Sequence, residues 1–284
     1  MASVLRMRDV PGTMRQKKTG ENRFARFKAL HHAAEPLLLP NAWDYASAAA
    51  LEAAGFAAVG TTSLGVAVAA GKPDAQAAAL EETIALAGVL ARLPCPVTVD
   101  LEAGFGDPAE TADLAARLAA LGIAGVNIED GRPDGSLSDP ERLRATVRAV
   151  KERVPDLFVN ARTDAFWLSA PHPLEAAITR IRAYAEAGAD GVFVPAIVSD
   201  EHIAAVVGAV DVPVNVLFLP DHHTVSGLAS LGVRRISMGS LLFRAALAAV
   251  LRTANAVRTG EEITEKIPGY AEVNDLAAPL ESRP

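Results

Sequence analysis

Pro96-Val97-Thr98-Val99-Asp100-Leu101-Glu102-Ala103-Gly104-Phe105-Gly106-Asp107-Pro108 changes character halfway along. Its first half is a β-branched run, the pattern of a buried strand. Its second half breaks into glycines and an Asp-Pro turn. Two carboxylates, Asp100 and Glu102, stand where the strand becomes the loop. Spaced two apart, they face the same side of an extended chain. Neighbouring acids at a strand end are costly unless a cation neutralises them. The cation expected here is Mg²⁺ or Mn²⁺; the plainer reading is a solvated loop that happens to carry acids.

The same unit recurs outward in both directions. Short β runs fall at 37–41, 57–62, 97–102, 125–130, 157–162, 191–195, 214–218 and 235–238. Alanine-rich helical stretches alternate with them at 45–54, 77–93, 109–121, 140–154, 173–187, 200–207, 224–231 and 240–258. Several helices end on glycine, at Gly55, Gly122, Gly188 and Gly232, as left-handed C-terminal caps require. Strands alternating with helices make parallel βα units. Eight of them without a break in composition predict one closed (β/α)₈ TIM barrel over 23–258, with an open doubly wound sheet as the alternative. A basic stretch without apolar periodicity, 1–22, reads as a flexible N-terminal tail. Residues 259–284 read as a C-terminal extension that packs on the barrel or on a neighbouring subunit.

Composition narrows the function. The chain has 284 residues, half of them hydrophobic, which is ample for a large core. Aromatic residues make up 5% and the net charge is −7, so the chain lacks the stacking platform and basic face of a nucleic-acid binder. No apolar stretch is long enough for a membrane span. The lone cysteine, Cys95, allows no internal disulfide and fits a reducing, cytoplasmic setting; between two prolines in an apolar run it reads as a buried, inert thiol.

In such a barrel the active site lies at the C-terminal ends of the strands. Those ends carry Asn41, Trp43 and Asp44, then Thr61, Thr62 and Ser63, then Asp100 and Glu102, then Asn127, Glu129 and Asp130, then Asn160, Arg162 and Asp164, and finally Asn215, Ser237 and Ser240. Asp100, Glu102 and Glu129 are hard oxygen ligands without a nearby His or Cys, which suits Mg²⁺ or Mn²⁺ rather than zinc. Arg162 offers a planar fork to a carboxylate or a developing enolate oxygen. The Thr62-Ser63 turn offers backbone N–H groups to an anion. Plainer roles stand beside these. Arg162 could pair structurally with Glu129 or Asp130, Asp130 could shape a turn, Asp164 could cap one, and Asn127 could serve barrel packing. The adjacent pairs His31-His32 and His222-His223 read as surface or loop residues.

Taken together, the segments Leu39-Pro40-Asn41-Ala42-Trp43-Asp44, Thr61-Thr62-Ser63, Lys72-Pro73-Asp74, Asp100-Leu101-Glu102-Ala103-Gly104-Phe105-Gly106, Asn127-Ile128-Glu129-Asp130-Gly131 and Asn160-Ala161-Arg162-Thr163-Asp164 resemble the isocitrate lyase/phosphoenolpyruvate mutase superfamily. The resemblance implies a barrel whose C-terminal helix is exchanged between subunits of a homo-oligomer, usually a tetramer and otherwise a dimer. It implies Mg²⁺ held directly at Asp100, with Glu102 and Glu129 acting through water. It places Asp74 on a gating loop over the substrate. It gives Thr62, Ser63 and Leu64 the substrate carboxylate, Arg162 the substrate oxyanion, and Asn215 and Trp43 supporting substrate contacts.

The chain departs from the lyases in the loop at 131–139, which has no Cys and no His where theirs supply a proton, and at Pro195-Ala196, where theirs carry a Glu. It departs from the phosphonopyruvate mutases at Gly60, which stands in the place of a Trp, and in lacking their Lys and Asn on the gating loop. The expected function is a Mg²⁺-dependent lyase or decarboxylase that cleaves a C–C bond of a small 2-oxo or 2-hydroxy (di)carboxylic acid through an enolate. Alternatives are a phosphonate enzyme, resembling phosphoenolpyruvate mutase or phosphonopyruvate hydrolase, and a barrel that binds a 2-oxo acid without turnover.

Overall fold

The computed structural model describes residues 22–277. Except for Asn22, the tail expected over 1–22 lies outside the described residues, as do residues 278–284. The described strands are β1 (Leu37–Leu39), β2 (Asn41–Ala42), β3 (Val59–Thr61), β4 (Val97–Asp100), β5 (Gly125–Glu129), β6 (Phe158–Arg162), β7 (Gly191–Val194), β8 (Val214–Leu217) and β9 (Arg235–Ser237). All neighbours are parallel, in the order β1-β9-β8-β7-β6-β5-β4-β3-β2.

Pro40 splits the first expected strand in two. It has no N–H to give to a ladder, although its carbonyl still accepts from the Gly60 N–H at 2.9 Å. Before the break β1 pairs with β9, and after it β2 pairs with β3. The split strand therefore joins the two edges of the sheet and closes the barrel. Gly60 is required at this seam, since a Cβ there would lie 2.9 Å from Asn41 Nδ2.

Around the sheet run α1 (Arg23–Leu30), α2 (Tyr45–Ala53), α3 (Ser63–Ala69), α4 (Leu80–Leu90), α5 (Pro108–Leu121), α6 (Pro140–Arg153), α7 (Pro173–Glu186), α8 (Asp200–Val207), α9 (Val225–Ser230), α10 (Leu241–Thr259) and α11 (Tyr270–Asp275). Local chemistry sets their ends. Asp107 accepts from the N–H groups of Ala109 and Glu110 at the start of α5, and Gly122 ends that helix in the left-handed conformation. Helix α3 begins where only a turn was expected. Beyond α10, Leu276 packs against the main core.

Strand residues alternate in the usual way. Val97, Val99, Val126, Ile128 and Val159 face outward against Leu86, Leu90, Leu118 and Val150. Val192, Val194, Val216 and Ile236 face Ile181, Ile203 and Leu228 in a second core. The inward register is polar. Asp100 stands opposite Asn127 and Asn127 opposite Asn160, while Glu129, Arg162, Phe193, Asn215 and Arg235 form the adjoining row. Arg235 is fully buried, and burial pulls its pKa down to about 9. Asn127 Oδ1 accepts from Asn160 Nδ2 at 2.9 Å and from Arg235 Nη2 at 3.2 Å. Barrel packing, one expected role of Asn127, is thus carried by hydrogen bonds rather than by branched side chains.

The opposite end of the barrel is plugged by α1. Phe27 is buried there, and His31 stacks on Phe158 with ring centroids 4.0 Å apart. This corrects the surface reading of the histidine pairs. His32 and His222 are exposed, but His31 and His223 are buried, because adjacent side chains point in different directions. The expected buried thiol is present: burial pushes Cys95 up to about 11.

Burial lowers the His31 pKa from 6.5 to about 3. Between those pH values the unfolded chain binds a proton that the folded chain does not, so stability falls as pH falls. In urea titrations the stability advantage of the wild type over His31→Leu should therefore shrink on acidification below pH 6.5, by up to about 1.4 kcal/mol per pH unit. A pH-independent difference would contradict the buried, neutral assignment.

Candidate active site

The strand ends open into a cavity of about 180 Å³ lined by Thr62, Ser63, Leu64, Asp74, Asp100, Glu129 and Arg162. Seven residues singled out from the sequence thus meet around one small space. Strands β4, β5 and β6 deliver Asp100, Glu129 and Arg162 from their last positions. The Ser63 N–H donates to Asp100 Oδ2 at 3.4 Å, and Thr61 Oγ1 accepts from the Asp100 N–H at 2.8 Å.

Three expected residues sit elsewhere. Glu102 does not share the face of Asp100, because β4 ends at Asp100 and Glu102 takes a left-handed φ of 50°. The strand alternation assumed for the pair stops there. Glu102 Oε2 accepts from the Ala77 N–H at 2.9 Å, which ties it to the loop that carries Asp74. Burial raises its carboxyl to about 7. Trp43 packs on Phe243 with ring centroids 5.2 Å apart, outside the cavity lining. Asn215 points into the barrel interior, buried, and neither atom of its amide finds a partner among the described residues.

Arg162 organises the charge. Its Nη1 lies 2.7 Å from Glu129 Oε2 and its Nε lies 2.6 Å from Asp164 Oδ1. Burial alone would favour the neutral guanidine, but Glu129, Asp164 and Asp100 outweigh it and hold the group charged. Burial drives the carboxyls of Asp100, Glu129 and Asp164 above their usual range, and Arg162 pulls each part of the way back. Asp74 Oδ1 is buried without a partner.

Asp130 and Asp164 are more than turn formers. Asp130 accepts from Arg180 Nη1 at 2.9 Å, from the Tyr184 hydroxyl at 2.7 Å and from the Asp164 N–H at 2.9 Å. Asp164 in turn clamps Arg162. Gly131 makes room for this, since any Cβ there would run into the Asp164 carboxylate. The ion pair foreseen between Arg162 and Glu129 exists, whereas Asp130 takes Arg180 instead.

The donor set fits a hard divalent cation. Asp74, Asp100, Glu129 and Asp164 share one cavity with Arg162, and one Asp74 oxygen is orphaned. Among the described residues no three His, Cys, Asp or Glu side chains close into a protein-only cage. An ion that keeps much of its water shell, as Mg²⁺ does, suits such an open set.

Sequence reasoning did not single out Arg132, Trp167, Phe193 or Arg235. Arg132, Trp167 and Phe193 line the cavity, and the Arg162 guanidinium carbon lies 5.8 Å from the Trp167 ring centre and 5.6 Å from that of Phe193. The available signals were an arginine inside the last β run and the Phe166-Trp167 pair just beyond a strand end.

Comparison with known proteins agrees with this geometry. The family model for phosphoenolpyruvate phosphomutase matches residues 27–258. An uncharacterized Mycobacterium tuberculosis protein is 43% identical over 90% of this chain and 98% of its own. The phosphoenolpyruvate phosphomutase of Streptomyces hygroscopicus is 31% identical over 90% of this chain and 84% of its own. The solved phosphoenolpyruvate phosphomutase of Streptomyces platensis subsp. rosaceus superposes with a TM-score of 0.80 at 26% identity, covering 89% of this chain and 94% of that one. Other relatives include 2-methylisocitrate lyases and an oxaloacetate decarboxylase. The chain belongs to the phosphoenolpyruvate phosphomutase family and is an enzyme of the isocitrate lyase/phosphoenolpyruvate mutase superfamily.

Proposed function

We propose that the chain is a Mg²⁺-dependent lyase or decarboxylase that breaks a C–C bond in a small 2-oxo or 2-hydroxy carboxylic acid. The observation that carries this reading is the juxtaposition of Arg162 with an excess of carboxylates, buried or half-buried, on one cavity of about 180 Å³. Asp100 would hold Mg²⁺ (or Mn²⁺) directly, with Glu129 acting through water, while Glu102, expected to share that role, instead ties down the Asp74 loop through the Ala77 N–H. So placed, the ion would polarise the substrate carbonyl and offset negative charge that develops on its oxygen.

The chain's own residues do the remaining work. The turn at Thr62, Ser63 and Leu64 receives the substrate carboxylate, while Trp43 and Asn215, expected as substrate contacts, lie outside the cavity lining. When the bond of a 2-oxo acid breaks, its electron pair moves into the adjacent carbonyl and leaves an enolate; in a 2-hydroxy acid the hydroxyl proton passes to a cavity carboxylate as the C–O bond becomes a carbonyl, and the pair moves into the carboxyl group beside the departing carbon. Arg162, held by Glu129 and Asp164, donates to that oxygen without having to reorganise. The proton that then completes the new C–H bond comes from Asp74 or Glu129, since the cavity offers no Cys or His. Phe193, Trp167 and Leu168 supply apolar wall that limits water.

The family match favours a second reading, attack on a C–P bond in a phosphonate. Incubation with oxaloacetate should release pyruvate and CO₂, and phosphonopyruvate should give no ³¹P phosphate signal; the reverse result would select the phosphonate reading. A barrel that binds without turnover would give no product from any 2-oxo acid.

Two further features belong to this proposal. Along α10, Val250, Leu251 and Val257 are 62%, 65% and 70% exposed, which supports a homo-oligomer, tetramer or dimer, that exchanges or covers this helix. Among the described residues no helix is long and apolar enough to cross a membrane, and we place the enzyme in the cytoplasm.

Asp100→Ala should abolish Mg²⁺-dependent binding of oxalate, an enolate mimic, in calorimetry; unchanged affinity would refute the metal assignment. Asp164→Ala should lower kcat by roughly tenfold to a hundredfold, because Arg162 loses one of its two anchors. Steady-state kinetics with kcat unchanged would remove Asp164 from the mechanism.

A further inference from the structure

Arg235 is fully buried inside the barrel, on the inward side of β9. Its guanidinium bridges two strands. Nε donates to Ser237 Oγ on its own strand at 3.1 Å, and Nη2 donates to Asn127 Oδ1 on β5 at 3.2 Å. Nη1 has no partner among the described residues. A buried guanidinium without a carboxylate in contact is costly, and an apolar side chain of similar size would fill the barrel at less cost. Packing alone therefore does not account for this arginine.

Both of its acceptors belong to the candidate active site. Asn127 and Ser237 line the cavity that also holds Asp74, Asp100, Glu129 and Arg162. An arginine can only donate, so it settles how its two acceptors present themselves. Asn127 Oδ1 is taken by Arg235 and by Asn160 Nδ2, which leaves the Asn127 NH₂ group for the cavity. Ser237 Oγ accepts from Arg235, which leaves the hydroxyl proton to donate elsewhere. The floor of the cavity thus offers donors and rests on a positive charge, whereas its walls carry acids. Asp100, on the wall, is the one charged group that sustains the Arg235 charge against burial.

We infer that Arg235 is a positioning residue for the proposed reaction: through Asn127 and Ser237 it makes the cavity floor a donor surface for an anionic substrate, while its charge opposes the divalent cation that the acids attract. This rests on the reading that a metal ion and a small acid share the cavity at Asp100 and Arg162. A positive charge beneath that cavity acts on the two occupants with opposite sign. It draws the acid in and weakens the hold on the ion, so the cavity favours ion and acid together over the ion alone.

Calorimetry on the full chain separates the two effects, with Mn²⁺ alone and then with oxalate added to the Mn²⁺-saturated protein. Arg235→Met should bind Mn²⁺ about threefold to tenfold more tightly than the wild type, and oxalate weaker by about the same factor. Arg235→Gln should shift both affinities in the same directions. A variant that is merely damaged can weaken both ligands but cannot tighten one. Urea unfolding reports whether each variant folds, and Arg235→Gln carries the test if Arg235→Met does not. Weakening of both ligands together, or no change in either, would overturn the inference. So would failure of both neutral variants to unfold cooperatively, which would confine Arg235 to structure. A wild type that binds no Mn²⁺, or binds Mn²⁺ but no oxalate, would instead bring down the underlying site reading, and this inference with it.

Discussion

Arg162 sits buried between Glu129 and Asp164, and much of the site depends on that arrangement. A buried guanidinium with two carboxylates is stable only if each is fixed and otherwise satisfied. The fold meets that condition in several steps. The β5–β6 register sets Glu129 opposite Arg162. Asp130, one residue beyond Glu129, reaches back to the Asp164 N–H and is itself held by Arg180 and Tyr184. Gly131 leaves the space that Asp164 needs. The acids that remain, Asp100 and Asp74, then face a centre whose positive charge is already shared. That is the electrostatic argument behind the proposed divalent cation.

The barrel interior extends the same logic below the site. Asn127, Asn160, Asn215 and Arg235 take inward positions where branched aliphatic residues are common in barrels. Among the described residues Arg235 has no carboxylate in contact, and it donates instead to Asn127 and Ser237. Its charge lies beneath Asp100, the one charged group that raises its pKa against the larger effect of burial. The floor of the site is therefore polar and cationic, while its rim is acidic.

The fold was legible because strand, loop and glycine-ended helix repeat with little interruption, and because acids collect at one end of the strands. Local geometry was less legible. Pro40 breaks a strand that reads as continuous, yet this break closes the barrel. Glu102 leaves the face of Asp100 because a non-glycine residue adopts a left-handed φ, which no simple period anticipates. Asp164 looked like a turn former, and its role as the clamp on Arg162 appears only when β5 and β6 are paired. His31 shows the limit of reasoning from sequence neighbours, since its burial depends on α1 folding over the far end of the barrel.

The central claim is that a hard divalent cation at Asp100 and the Arg162 guanidinium share one small acid. Anomalous scattering from crystals grown with Mn²⁺ and oxalate tests it most directly. The account predicts one Mn²⁺ peak about 2.2 Å from an Asp100 carboxylate oxygen, with oxalate between the ion and Arg162. A peak bound away from Asp100, or oxalate seated outside this cavity, would contradict it.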